Sequence, residues 1–539
     1  MLISNISNTF ILFIFSITFY LSILGFGTLY CKRKNIFKQI DYYYFIIFFF
    51  GLTILIIIGF LEYILNINSH YLNLFKLIIG IFFFLNSQLL SKRKIIEIIL
   101  TLIILLPGII ISKLHEDWSG YHFPFIDQIS NYRPILGLSK VDMHLSYASF
   151  LSYLQKNFFL PYYDFKLINI PIFLIFFNII LFLIKICSNI KKQFFIIFFL
   201  ILTTLLLKFT RFSEFGYDVP TNLILLSIFI IYYLEKNQRD FFKISYSLYF
   251  LLFVLSLTFK ANAIFFLPIF IIISYNKIRE KSHKLINFNK NLFLIIAFSS
   301  CFFLDNFIRS GCIFYFLKES CFEKDIIPWA INKSEISNFS TYAELWAKGF
   351  YHQKEIFIQD PNLYLNIKIW LPNWYKIHFH YHVIEFILVP FTLFLLLFFL
   401  LKKTNKDNIV DFNKIKIYLF LSSITSIFFW LYKLPDIRFV TAIIIIFFCC
   451  IITFFIQKKN FFYLNFIKSI ILISLIIYSG KNIQRIHDEF KRNDNHKFTN
   501  YPFPPQNRIK YEKDSVNKIK FNINNDYLVE EYGWFYMIK

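Results

Sequence analysis

Two adjacent carboxylates, Glu116 and Asp117, stand beside His115 and His122 in the stretch HEDWSGYHFPFI, and these are residue types that move protons. The stretch continues to residue 147 as a polar segment, inside a chain that is 57% hydrophobic and only 17% charged. Hydrocarbon does not tolerate unpaired charge, so the segment is expected to face water. A carboxylate held there can take a proton from an attacking hydroxyl, a role typically contributing about 10²- to 10⁴-fold in rate. Trp118 and Tyr121 flank the acids with rings of the kind that stack on sugars or anchor at a membrane interface. The plainer reading of the same residues is a solvated loop.

The elements that must position these residues are apolar runs of about 17 to 25 residues, each long enough to cross roughly 30 Å of hydrocarbon. Fourteen such spans are expected, near 9–30, 43–65, 72–90, 95–112, 168–187, 193–208, 221–236, 243–257, 262–275, 291–306, 382–401, 415–431, 439–456 and 461–479. The expected fold class is therefore all-α, a polytopic integral membrane protein with large external loops. The first run ends in CKRK without a small-residue cleavage site and reads as a retained span. Lys260 and Asn262 interrupt the apolar stretch 243–275, which reads as two short helices meeting at a polar tip.

The net charge of +23 is carried by short loops such as CKRK, SKRK, NKIREKSHK and KKTNK. Positive charge beside apolar spans orients them toward the cytoplasm, so it argues for membrane topology and against a nucleic-acid partner. Alternation then places both termini outside, and the chain divides at these boundaries: N-terminal spans 1–112, a first external loop 113–167, a central membrane core 168–306, a second external loop 307–381, C-terminal spans 382–479 and an external tail 480–539. The semi-apolar part of the first loop, LSYASFLSYLQKNFFLPYY, is too polar to span and suits an amphipathic helix in the interface. Cys312 and Cys321 fall in the second loop, where an oxidising compartment would permit a disulfide. The tail ends in EEYGWFYMIK, which suggests a small folded or docking segment.

This topology gathers the remaining polar features on the external face: Arg211 to Asp218, Lys260 with Asn262, Asn306 to Arg309, and Asp436 with Arg438. Lys260, Arg438 and Arg309 are candidates to hold a phosphate whose hydrocarbon tail stays in the bilayer. Snorkelling to headgroups is the duller alternative for each. Asp218, two residues before Pro220, also suits a helix start. His115, Asp117, His122, Asp142 and His144 are metal-ligand types, but no HExxH-like spacing supports a metal. No metal is therefore assigned, although a divalent cation stays open. No phosphate-binding glycine loop or nucleotide fingerprint is present in the sequence.

The segments EDWSGYHFPFI and RPILGLSKVDMHLSYAS, followed in order by SEFGYDVP, LTFKANAIFFLP, SGCIFYFLKESCF and LPDIRF, resemble an uncharacterised group of bacterial polytopic proteins linked with surface-polysaccharide synthesis. That group is itself similar to the GT-C glycosyltransferases. The resemblance covers most of residues 95–456. It implies a multi-pass protein of the bacterial inner membrane with its site on the periplasmic face. It implies a polyprenyl-phosphate sugar as donor, and a surface glycan or lipid-linked oligosaccharide as acceptor. Asp117 or Glu116 then corresponds to the catalytic acid, and Lys260, Arg438 and Arg309 to donor-phosphate contacts. Trp118, Tyr121, His122 and Asp218 would shape the acceptor or sugar site. An O-antigen-type polymerase is the enzymatic alternative. A lipid or solute transporter is weakened because the spans appear nearly free of ionisable residues.

Overall fold

The computed structural model describes residues 2–31, 40–87, 89, 91–110, 112–113, 121–146, 148–163, 167–189, 192–210, 212–214, 216–237, 245–279, 288–315, 317–353, 358–378, 387–403, 413–456, 459–461, 464–491, 512–514, 518–520, 526–532 and 535–538. The protein is all-α, with 21 helices among the described residues. α1 (Leu2–Tyr30), α2 (Ile40–Ile64), α3 (His70–Asn86) and α4 (Lys92–Leu105) come first, and α4 runs on into the single turn α5 (Pro107–Ile110). Three short helices follow: α6 (Phe123–Asn131), α7 (Met143–Ser146) and α8 (Ser152–Lys156). The centre is built from α9 (Ile170–Asn189), α10 (Lys192–Lys208), α11 (Asp218–Asn237), α12 (Tyr246–Phe259), α13 (Leu267–Arg279) and α14 (Phe288–Ser310). α15 (Lys333–Ala347), α16 (Pro361–Tyr364) and α17 (Ile367–His378) form a second short-helix layer. The chain closes its bundle with α18 (Val389–Leu400), α19 (Asn413–Lys433), α20 (Thr441–Ile456) and α21 (Leu464–Lys491).

Among the described residues six segments are long and apolar enough to cross a membrane, Thr9–Tyr30, Tyr42–Ile64, Ile170–Cys187, Asp218–Lys236, Ala261–Arg279 and Asn291–Ser310, and four shorter apolar helices accompany them. The chain thus has the character of a multi-pass membrane protein. Its core is centred on α9 and α11, where residues such as Phe173, Phe177, Leu223 and Ile230 are fully enclosed. Phe75, Ile78 and Phe82 on α3, Phe293 on α14, Phe428 on α19 and Leu472 on α21 point outward. A soluble protein would not expose such large side chains so widely, whereas a lipid-facing belt requires them. Where helices meet most closely, glycine makes the contact possible. A Cβ added to Gly25 on α1 would fall 1.7 Å from the Gly80 carbonyl oxygen on α3, the close approach that small residues permit between membrane helices.

The apolar stretch 243–275 breaks at Lys260, whose backbone is extended between α12 and a 3-10 turn over Ala261–Phe266 that leads into α13. The segment expected to lie in the interface does not: residues 148–160 are buried throughout, with α8 packed on α2, α6 and α9. Several ionisable residues on the helices are paired across them. Lys76, inside the third apolar run and overlooked in the sequence, bonds Glu62 of α2 at 2.7 Å, while Glu235 of α11 holds Lys277 of α13.

Small strands stitch the loops. β1 (Ser112–Lys113) pairs in parallel with β3 (Ser213–Glu214), and β4 (Leu401–Lys403) pairs antiparallel with β5 (Lys459–Phe461). A five-stranded sheet joins β2 (Ile135–Leu136) to the tail strands β6 (Glu512–Asp514), β7 (Lys518–Lys520), β8 (Asp526–Tyr532) and β9 (Phe535–Ile538), in the order β2-β9-β8-β7-β6. The tail therefore docks on the loop after α6, with Met537 packed against the cluster of Leu136, Ile308 and Trp329. The boundary expected at residue 480 falls inside a helix, because α21 continues through 480–491.

Candidate functional site

Three helical segments begin at one point. α11 starts at Asp218, the turn into α13 starts after Lys260, and a 3-10 turn over Ile437–Val440 leads into α20; the three starts contact one another. Helix N-termini carry partial positive charge and unpaired N–H groups, so their convergence favours an anion. The sequence places starts here for local reasons. Pro220 follows Asp218 by two residues, and the Asp436 side chain accepts from the Arg438 N–H to cap its turn.

Side chains complete the convergence. Lys260 Nζ lies 2.6 Å from Asp218 Oδ1, and Asn262 Nδ2 donates to the same oxygen at 3.1 Å. Arg438 is anchored on Asp436 through Nε at 2.9 Å and an Nη2 contact at 2.8 Å. Asn222 ties the two halves together: its amide nitrogen donates to the backbone oxygens of Asp218 and Arg438, both at 2.8 Å, and its oxygen accepts from Ala442 N–H at 2.9 Å. The Lys260 ammonium and the Arg438 guanidinium both lie within 6 Å of the centre of the Phe439 ring.

Both cations reach the surface in part: their side chains are 30% and 33% exposed. The Asn262 amide oxygen is buried without a hydrogen-bond partner in the structure, an acceptor open to a ligand hydroxyl. Burial alone would raise the Asp436 carboxyl, but the charge and hydrogen bonds of Arg438, with His378 nearby, hold it below the usual carboxylate value. It therefore remains an anion and keeps Arg438 in place. Trp346 of α15 lies 5.4 Å beneath the Arg438 guanidinium. Trp374 of α17 donates to the Pro435 carbonyl, which fastens the second short-helix layer to the site, and Trp430 of α19 donates to the Asp436 carbonyl.

Tyr121 and His122 reach the same neighbourhood. His122 packs edge-on against Tyr217, with ring centres 4.8 Å apart, and Tyr121 stacks on His144 at 4.9 Å. Tyr217, next to Asp218, shares hydrogen bonds with Ser152 at 2.8 Å and Gln155 at 2.9 Å. Glu116, Asp117, Trp118, His115 and Arg211 lie outside the described residues. The described residues on either side of the acidic stretch are fixed, however: β1 pairs with residues 213–214, and His122 rests on Tyr217.

Arg309 is placed elsewhere. Its side chain is 1% exposed, bonds Asp305 at 2.5 Å and the Leu145 carbonyl at 2.6 Å, and lies over the Phe125 ring. Tyr153 donates to the other Asp305 oxygen at 2.7 Å. The guanidinium is thus enclosed in a structural cluster and does not meet Lys260 or Arg438. Cys312 and Cys321 are joined as a disulfide. Asp142 accepts from its neighbour His144 at 2.8 Å, and among the described residues no three His, Cys, Asp or Glu side chains group as metal ligands.

Sequence reasoning found Lys260, Asn262, Asp218 and Arg438, but missed Asn222, Phe439 and Trp346. Nothing local marks Asn222, which lies within an apolar helix. The Trp-rich second loop was a general signal for Trp346.

No curated protein and no solved structure matches the chain with significance. A family model described as "Domain of unknown function (DUF8201)" matches residues 9–445, which include every residue of the cation site, and the chain belongs to that family.

Proposed function

We propose that this protein is a membrane glycosyltransferase of GT-C type, acting at the periplasmic face of a bacterial inner membrane. The observation that carries the reading is the joint position of Lys260 and Arg438, each held by its own carboxylate and both beside Phe439, where three helix starts converge. Such a site suits the phosphate of a polyprenyl-phosphate or -diphosphate sugar whose tail remains in lipid. Fourteen membrane crossings, with basic loops inside, would put this end of the bundle in the periplasm.

In the proposed reaction the acceptor hydroxyl, on a surface glycan or lipid-linked oligosaccharide, attacks the anomeric carbon of the donor. Its proton passes to Asp117 or Glu116, and the sugar–phosphate C–O bond breaks with its electron pair leaving on the lipid phosphate. Lys260 and Arg438 stabilise the charge gained by that phosphate. Tyr121, His122 and Trp118 line the acceptor side, with Asp218 and Asn262 toward the sugar. The fixed flanks of residues 114–120 support this assignment of the acids. Arg309 is left out because its guanidinium is committed to Asp305.

The test is the surface-glycan profile of a deletion strain complemented with wild type or with Asp117→Asn, at matched membrane levels. A sugar restored by wild type and lost in the variant, by about 10²-fold or more in transfer rate, supports the reading. Glu116→Gln then identifies which acid serves. A glycan unchanged by the deletion overturns the transferase reading, and single unpolymerised repeats would point to a polymerase.

A further inference from the structure

α6 begins beside Tyr217 and, after nine residues, or about 13 Å at 1.5 Å per residue, ends in a separate cleft of about 490 Å³. The α2–α3 turn and the Pro161–Tyr162 turn form its other walls. Its chemistry differs from that of the cation site. Among the described residues no Lys, Arg, Asp or Glu lines it; the described walls are amides, hydroxyls and rings, with the imidazole of His70. Asn66, Asn68 and Asn131 supply amides, and the Asn68 amide oxygen is buried without a hydrogen-bond partner in the structure. Tyr71 and Tyr162 present rings that are 69% and 88% exposed.

Backbone strain gathers at the same place. Asn66 (φ 54°) and Tyr162 (φ 71°) are the non-glycine residues with positive φ among those described, and both line this cleft. A bulky residue rarely adopts that conformation, and such strain is concentrated at binding sites. Here it coincides with a tyrosine side chain that is almost wholly exposed.

We propose that this cleft is a saccharide-binding site, selective for neutral sugar units. Amides that both donate and accept match sugar hydroxyls, exposed rings match the C–H faces of pyranoses, and the described lining residues offer no fixed charge for a phosphate. Calling the bound saccharide the acceptor rests on the transferase reading; the binding itself does not. On that reading the cleft holds earlier units of the growing glycan, away from its reactive end.

The full-length protein in lipid nanodiscs is applied to an array of neutral oligosaccharides, which tests free glycans. Its melting temperature with and without polyprenyl-diphosphate chitobiose in the disc tests a lipid-linked one. Binding is expected in at least one arm. Tyr162→Ala and Asn131→Ala each weaken it about tenfold, as the loss of one good contact does, while Lys260→Ala retains the binding of free, phosphate-less oligosaccharides on the array. Should Tyr162→Ala melt early, Tyr71→Ala provides the same test at another exposed ring. No binding in either arm overturns the proposal, as does binding that ignores the cleft variants or free-glycan binding that is lost only in Lys260→Ala. Saccharide binding in a protein whose deletion leaves the surface glycan intact would remove the transferase reading and leave the cleft standing.

Discussion

Asp218 and Lys260 meet at 2.6 Å from two different helices, and Asn222, one turn into α11, bonds both the Asp218 carbonyl and that of Arg438. Three sequence-distant polar residues are thereby locked at one end of the bundle. Glu235 lies roughly 26 Å further along the same helix and holds Lys277 at the other end. The exposure of Lys260 and Arg438 is thus a property of one end of α11 and its neighbours, not of a charged surface in general.

The two cations are expected to be unequal under conservative change. Lys260→Ala and Arg438→Ala each lower sugar transfer about 10- to 100-fold, the worth of a charge-assisted hydrogen bond. Arg438→Lys does not rescue, because a point charge cannot make the paired contacts with Asp436 or lie flat over Trp346. Lys260→Arg retains part of the activity. The complemented deletion strain, assayed by glycan profile, measures all four.

Arg309 should behave as a structural residue. Arg309→Ala leaves Asp305 buried beside Tyr153 without its cation, a change that costs about 3–5 kcal/mol in comparable pairs. The double variant Arg309→Met with Asp305→Asn is expected to melt closer to wild type than Arg309→Ala does. Thermal melting in nanodiscs decides; a normal melt with lost transfer would return Arg309 to the reaction.

The disulfide reports both stability and sidedness. Cys312 and Cys321 are separated by nine positions, and closing so short a loop is worth about 2–3 kcal/mol in the chain-entropy account. Cys312→Ser is expected to lower the melting temperature by a few degrees. In denatured protein, maleimide–polyethylene glycol should label two more cysteines after reduction than before. Equal labelling would mean that the pair is reduced in the cell.

Lys156 gives a pH signature. Burial lowers its pKa to about 7, a trend that Glu62 opposes and Lys76 assists. In the unfolded chain lysine titrates near 10.4. Between these values the unfolded state binds more protons, so stability rises with pH from about 7 toward about 10. Below pH 7 the cost of burying the charge is present in full. Lys156→Met should flatten this slope in nanodisc melts, and an unchanged slope would refute the assignment.

Much of the fold was legible because its cause is local. Apolar runs of membrane length, basic loops beside them and the break at Lys260 all follow from the transfer cost of each side chain taken alone. Helices lie within the fourteen expected segments, and among the described residues six stretches have the length and apolarity to cross a membrane. The polar motifs at Asp218, Lys260 and Asp436–Arg438 were visible for the same reason: charge in an apolar chain stands out.

What pairs with what was decided only by tertiary structure. Arg309 and Arg438 look alike in sequence, each a cation near an acidic residue at the end of an apolar run. Packing under Phe125 and Leu145 encloses the first, while the turn at Asp436 and the docking of Trp346 leave the second a third exposed. The burial of α8, the docking of the tail on Ile135–Leu136 and the cleft at the end of α6 likewise join segments far apart in the chain. Composition fixes whether a residue tolerates lipid, but long-range packing sets its solvent access and its partners, and those determine what a charged group can do.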